Sequence, residues 1–130
     1  MLRIHPFVMG HLVGAVATGT AAGAFINAQA SFIVAVGLLA GAVVSSLVCQ
    51  WRPGVEAPAW QIWPVAVAAN PLMWAALAFM AADWECVLGL RRGWNCLTAA
   101  MAILTAGLCL LPPFGGLLWR WWKRRRAAAA

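Results

Sequence analysis

Apolar residues run along this chain in long blocks, and the polar positions between them fall at a few short breaks. Four blocks are long enough to cross a bilayer as helix, which takes about 20 residues. They span about 6–26, 31–51, 60–82 and 94–111. Neither the 3.6-residue alternation of a half-exposed helix nor the two-residue alternation of a strand interrupts them. The breaks are the short polar stretch Asn27 to Ala30, the loop WRPGVEAPA with Pro53, Gly54 and Pro58, the segment DWECVLGLRRGWNC, and Pro112-Pro113. Proline and glycine stop helices at these places. The pattern predicts an all-α fold, a four-transmembrane-helix bundle in one domain over 1–130, followed by a basic and aromatic interfacial segment over 114–126.

Composition agrees with the pattern. Of the 130 residues 65% are hydrophobic and 9% are charged, whereas soluble domains carry roughly 25% charged residues. One alternative for the first block is a cleaved signal peptide ending at Ala28-Gln29-Ala30. Its apolar run exceeds the usual 7–15 residues, so a retained helix is the expectation.

Charge sets an expected orientation. Five of the nine basic residues, Arg120, Lys123, Arg124, Arg125 and Arg126, lie near the C-terminus. An even number of spans puts both ends on one side. Arg3, Arg52 and the C-terminal cluster share it, and Arg91 and Arg92 face the other. The positive-inside rule then places both termini in the cytoplasm. Arginine dominance, abundant alanine and the lack of tyrosine suggest a GC-rich bacterial source, and with it the inner membrane. Trp51, Trp60 and Trp63 on one side and Trp84 and Trp94 on the other suit headgroup-level anchors; Trp74 falls between. In LLWRWWKRRR, the stretch from Leu117 to Arg126, the residues Trp119, Trp121 and Trp122 join the basic side chains as a membrane-surface anchor to anionic lipid headgroups. After the proline break the stretch is expected to lie along the surface, with Leu117, Leu118, Trp121 and Trp122 towards lipid and Arg120, Lys123 and Arg124 towards water. Nucleic acid is not an expected partner, because that reading needs a basic face on a soluble domain.

Small residues recur four apart on the first helix, at Gly10 and Gly14 and again at Gly19 and Gly23, and on the second at Gly37 and Gly41. Without a hydrophobic drive between helices in lipid, close backbone approach supplies the contact. A tight first-to-second helix seam follows, or contact with another subunit.

Reactive chemistry is sparse. Asn70-Pro71 lies near the middle of the third block, where proline cannot bond the carbonyl of Val67 and a kink or break is expected. Such a break can line a transport site, or neighbours can repair it. Glu56, Asp83 and Glu85 fall in loops or at a helix end, so a buried proton relay is not expected. His11, inside the first helix, is the position at which haem or quinone stays open; a packing role is preferred, and no cofactor or metal is predicted. Separated by six residues, His5 and His11 point to different faces and do not clamp one ligand. Cys86 and Cys96 flank a short non-cytoplasmic loop and are placed to bridge. Cys49 and Cys109 are expected towards the cytoplasmic ends as free thiols. No phosphate loop, zinc spacing or nucleophile elbow stands in the sequence, and no catalytic residue is predicted. The expected function is a small noncatalytic integral membrane subunit, an accessory, assembly or anchoring component of a larger respiratory, photosynthetic, secretory or transport complex. The rival expectation is a homo-oligomeric channel or transporter around Asn70-Pro71.

Overall fold

A computed structural model describes residues 4–25, 28–51 and 55–130. These residues are helical and contain no strand. The helices are α1 (Pro6–Ala24), α2 (Ala28–Cys49), α3 (Ala59–Ala68), α4 (Pro71–Ala82), the single turn α5 (Trp84–Val87), α6 (Leu97–Cys109) and α7 (Pro112–Ala129), with a 3-10 turn at Trp94–Cys96 leading into α6. Among them α1, α2 and the run Trp94–Ala129 are each long and apolar enough to cross a membrane. Arg3, Asn27, Arg52, Pro53 and Gly54, to which the sequence assigns charge or turn roles, lie outside the described residues. Ala28 to Ala30 belong to α2, so the first connection is shorter than the sequence suggests.

Sequence determines where the helices start. His5 is extended and its Nδ1 accepts the Phe7 N–H at 3.2 Å, while Pro6 occupies the first helical position. This caps one N–H and uses a residue that has none to offer. Asn70 repeats the device for α4. It is extended (φ −79°, ψ 116°), its Oδ1 accepts the Leu72 N–H at 3.0 Å, and Pro71 follows.

The third block is therefore not one kinked helix. It is two helices bent by 64°. Proline forces the residue before it out of the helical region, and the carbonyl of Val67 that Pro71 cannot serve is taken by the Asn70 N–H at 3.3 Å. Residue 70 thus ends one helix and begins the next.

At Pro112-Pro113 the opposite happens. The chain continues as a 36-residue helical run, Trp94–Ala129. Leu110 and Leu111 donate to the carbonyls of Gly107 and Leu108 at 3.2 and 3.4 Å, and Phe114 donates to Leu111 at 3.1 Å. These tightened turns carry the chain across the junction. The prolines fill the first two positions of α7, where their missing N–H groups cost nothing. LLWRWWKRRR is accordingly the outer part of a helical run that continues across the prolines. Its surface-facing pattern changes too: Arg120, expected towards water, is only 8% exposed.

α1 is the centre of the packing, with α2 along one side and α7 along another. The two glycine rows serve different neighbours. A Cβ built at Gly19 would collide with the backbone of Ala35 on α2. One at Gly10 would come within 2.5 Å of both the Gly115 carbonyl oxygen and the Trp119 Cβ, and one at Gly14 within 3.0 Å of the Pro112 carbonyl oxygen. The seam expected between α1 and α2 is thus shared with an α1–α7 seam. Gly23 is buried in α1, Gly41 lies against Asn70, and Gly37 has nothing within 4 Å of the position of a Cβ.

Two apolar cores result. Phe7, Cys49, Ile62 and Ala66 pack where α1, α2 and α3 meet. Ala15, Leu38, Ala42, Met73 and Cys109 form the other, halfway along α1. Cys109 lies in this core because the helical run through it continues past residue 111 to Ala129. Beyond this level α4 follows α6, and the pair diverges from α1 and α2.

Candidate functional site

Polar side chains cluster inside the apolar bundle. His11, Ser45, Ser46 and Asn70 are each at most 2% exposed. Burying such groups is costly unless they are bonded, and most of their hydrogen bonds join one helix to the next. The Ser45 hydroxyl donates to the Ala66 carbonyl on α3 at 2.6 Å. Ser46 shares a 3.2 Å hydrogen bond with His11 Nδ1, linking α2 to α1. Phe7 meets the His11 ring edge-on at 5.6 Å. His11 Nε2 and Trp63 Nε1 are buried without a hydrogen-bond partner among the described residues. The His11 ring is enclosed by packing and links α1 to α2 through Nδ1.

At Asn70 the sequence signal and the geometry coincide. The carboxamide lies against the α2 backbone at Gly41, close enough that any Cβ there would overlap it. Its oxygen is already held by the Leu72 N–H. Nearby, the Trp74 indole N–H bonds the Ala68 carbonyl, which lies just before the break.

One end of the bundle is tied by charge. Arg120, in α7, donates to the carbonyls of Val55 and Ala57 at 2.9 and 2.6 Å. Because His5 Nδ1 accepts from Phe7, its Nε2 carries the proton and donates to Glu56 Oε1 at 2.6 Å. Arg124 reaches the other Glu56 oxygen at 3.4 Å. The His5 hydrogen bond, helped by Arg124, holds the Glu56 carboxyl below the usual carboxylate range. The start of α1, the loop before α3 and the basic end of α7 therefore meet at one place. Nothing in the sequence pattern distinguishes Arg120 from its neighbours. Its position one helical turn from Gly116, in contact with the 55–57 backbone, is a tertiary fact.

At the other end Cys86 and Cys96 form a disulfide with Cα atoms 5.4 Å apart. Arg91 lies 3.5 Å from Asp83 and 4.0 Å from Glu85 in the same loop. Cys49 and Cys109 are free and buried. Among the described residues no group of three or more His, Cys, Asp or Glu converges as a metal site.

Between α1 and α2 on one side and α6 on the other lies an apolar groove of about 860 Å³. Its walls include Ala17, Ala21, Gly37, Leu104 and Thr105, and α4 contributes only Leu72. The Thr105 hydroxyl is turned back to the Met101 carbonyl at 2.8 Å. Neither His11 nor Asn70 borders the groove. The divergence of α6 from α1 creates it, and no feature of the sequence announces it except the unpaired Gly37. No protein-family model matches the chain, and comparison with curated proteins and with solved structures finds no significant similarity.

Proposed function

We propose that this protein is a small noncatalytic integral membrane subunit that receives an apolar helix of a partner membrane protein in the groove between α1, α2 and α6. The groove itself carries the reading. In lipid, helix association depends on close packing and not on hydrophobic transfer, so an exposed wall with Ala17, Ala21 and the bare Gly37 favours a second backbone over disordered acyl chains. The buried polar groups fit this role, because their hydrogen bonds hold helices together.

Four spans are part of the proposal, the fourth being the bent pair α3 and α4. So is a bacterial inner-membrane location with both termini cytoplasmic. The meeting of His5, Glu56, Arg120 and Arg124 supports it, because it places the basic end of α7 beside the N-terminal end of α1. A basic end of this kind belongs on the cytoplasmic side.

Gly37→Leu tests the reading, since a Cβ at Gly37 meets nothing and the added side chain occupies the groove without disturbing the bundle. Purification in mild detergent should recover a stoichiometric partner with the parent chain and lose it with Gly37→Leu. A parent chain that purifies alone as a clean oligomer would remove the proposal. A channel around Asn70 draws less support, because its oxygen is committed to capping α4 and Gly41 closes over it. Liposome flux abolished by Asn70→Leu would reverse that preference.

A further inference from the structure

A second groove, of about 410 Å³, follows the outer face of the α1–α7 seam. Gly10, Gly14 and Gly115, whose lack of side chains lets α7 press against α1, contribute backbone to its floor, and Leu118, Trp121 and Trp122 form its far part. Two arginines stand at that end. The Arg125 guanidinium lies 4.3 Å from the Trp121 ring centre and that of Arg126 3.8 Å from the Trp122 ring centre. Each pair is four residues apart, on one face of the helix. Stacking on indole leaves the N–H edge of a guanidinium free for bidentate contact with phosphate oxygens.

No acid neutralises this pair among the described residues. Glu56 is bonded to His5 and Arg124, and Asp83 and Glu85 are with Arg91 at the opposite end. We infer that the groove binds one anionic glycerophospholipid, its phosphate between Arg125 and Arg126 and one acyl chain over the glycine floor. The dimensions agree. From Gly115 to Arg126 the helix rises roughly 16 Å at 1.5 Å per residue, close to half of a hydrocarbon core about 30 Å thick. Neither groove has a charged side chain in its lining; the smaller one differs in ending at Trp121 and Trp122, on which the two arginines stack. The lipid site requires only that the chain lie in a membrane, and it stands or falls independently of the partner-subunit reading.

Native mass spectrometry of the purified full chain tests it, with phosphatidylglycerol and phosphatidylcholine of identical acyl chains titrated in parallel and inorganic phosphate as a third arm. The parent chain should retain phosphatidylglycerol over phosphatidylcholine by about thirtyfold, the equivalent of roughly 1 kcal/mol for each arginine. Arg125→Gln with Arg126→Gln should erase the preference. Leu118→Trp, which fills the groove and leaves both arginines in place, should lower retention of phosphatidylglycerol several-fold. Unchanged preference in the double glutamine variant would overturn the site. So would displacement of the lipid by millimolar inorganic phosphate, which would mark a site for free anions, or full retention by Leu118→Trp, which would place the acyl chain elsewhere.

Discussion

Asn70 and Arg120 illustrate how one polar side chain can govern a region of an apolar protein. Each is buried and each serves backbone groups: Asn70 caps α4, and Arg120 holds the loop before α3 through two carbonyls. The site of Asn70 was legible, because an Asn-Pro pair inside an apolar block cannot continue a helix without a break. Its partner was not. Gly41 reads as one member of a small-residue row, and only the approach of α2 to the break shows that it makes room for a carboxamide. This gives Gly41 a specific sensitivity that Gly37, four residues earlier on the same helix, lacks. Gly41→Ala would push a methyl group into the Asn70 side chain, and overpacking of this kind costs typically 1–3 kcal/mol. Gly37→Ala should be close to neutral. Thermal unfolding of both variants in detergent checks the contrast; equal midpoints would show that Asn70 moves aside freely.

The element scale separates two kinds of proline signal that look alike in sequence. Pro71 follows a residue that can cap a new helix, and the chain turns by 64°. Pro112 and Pro113 follow Leu110 and Leu111, whose tightened hydrogen bonds keep the helical path, and the glycines just beyond them dock on Gly10 and Gly14. Docking decides the outcome: a helix that left α1 at residue 112 would abandon one of the two close seams that α1 makes. The extents of α1 and α2 were legible from apolar run length, whereas the course of α7 was not, since local breakers suggested an end that tertiary contact overrides. The far end of the molecule depends on another tie. The Cys86–Cys96 bridge joins α5, which follows α4, to the 3-10 turn that leads into α6, across a sequence separation of 10. Closing a loop of that size stabilises by about 3 kcal/mol in the chain-entropy model. Cys86→Ser with Cys96→Ser should therefore lower the unfolding midpoint, and a reductant should act on the parent chain but not on the variant. A midpoint that neither the double variant nor the reductant lowers would show that the bridge does not stabilise this end.

For the whole molecule, charge asymmetry and fold reinforce each other. The contacts of His5, Glu56, Arg120 and Arg124 gather basic groups at one end of the bundle, and a loop in which Asp83 and Glu85 offset Arg91 and Arg92 occupies the other. Arg120 contributes in two ways, as charge and as a buried tie, so a test of orientation should leave it in place. In the proposed topology the cytoplasmic side holds Arg3, Arg52, Arg120, Lys123, Arg124, Arg125 and Arg126, seven of the nine basic residues, against two on the other side. Changing Lys123 through Arg126 to Gln leaves three against two (7 − 4 = 3). The basic excess that fixes orientation falls from five to one, and short-loop Lys and Arg are the residues that insertion counts. The Gln variant should insert in mixed orientations, and C-terminal reporter fusions should give signal from both sides of the membrane. The same four changes remove Arg125 and Arg126 but leave the α1–α7 glycine seam intact, so correctly inserted molecules should still fold. A C-terminal reporter that stays wholly cytoplasmic in the Gln variant would mean that the helices themselves, and not this basic end, set the direction in which the chain enters the bilayer.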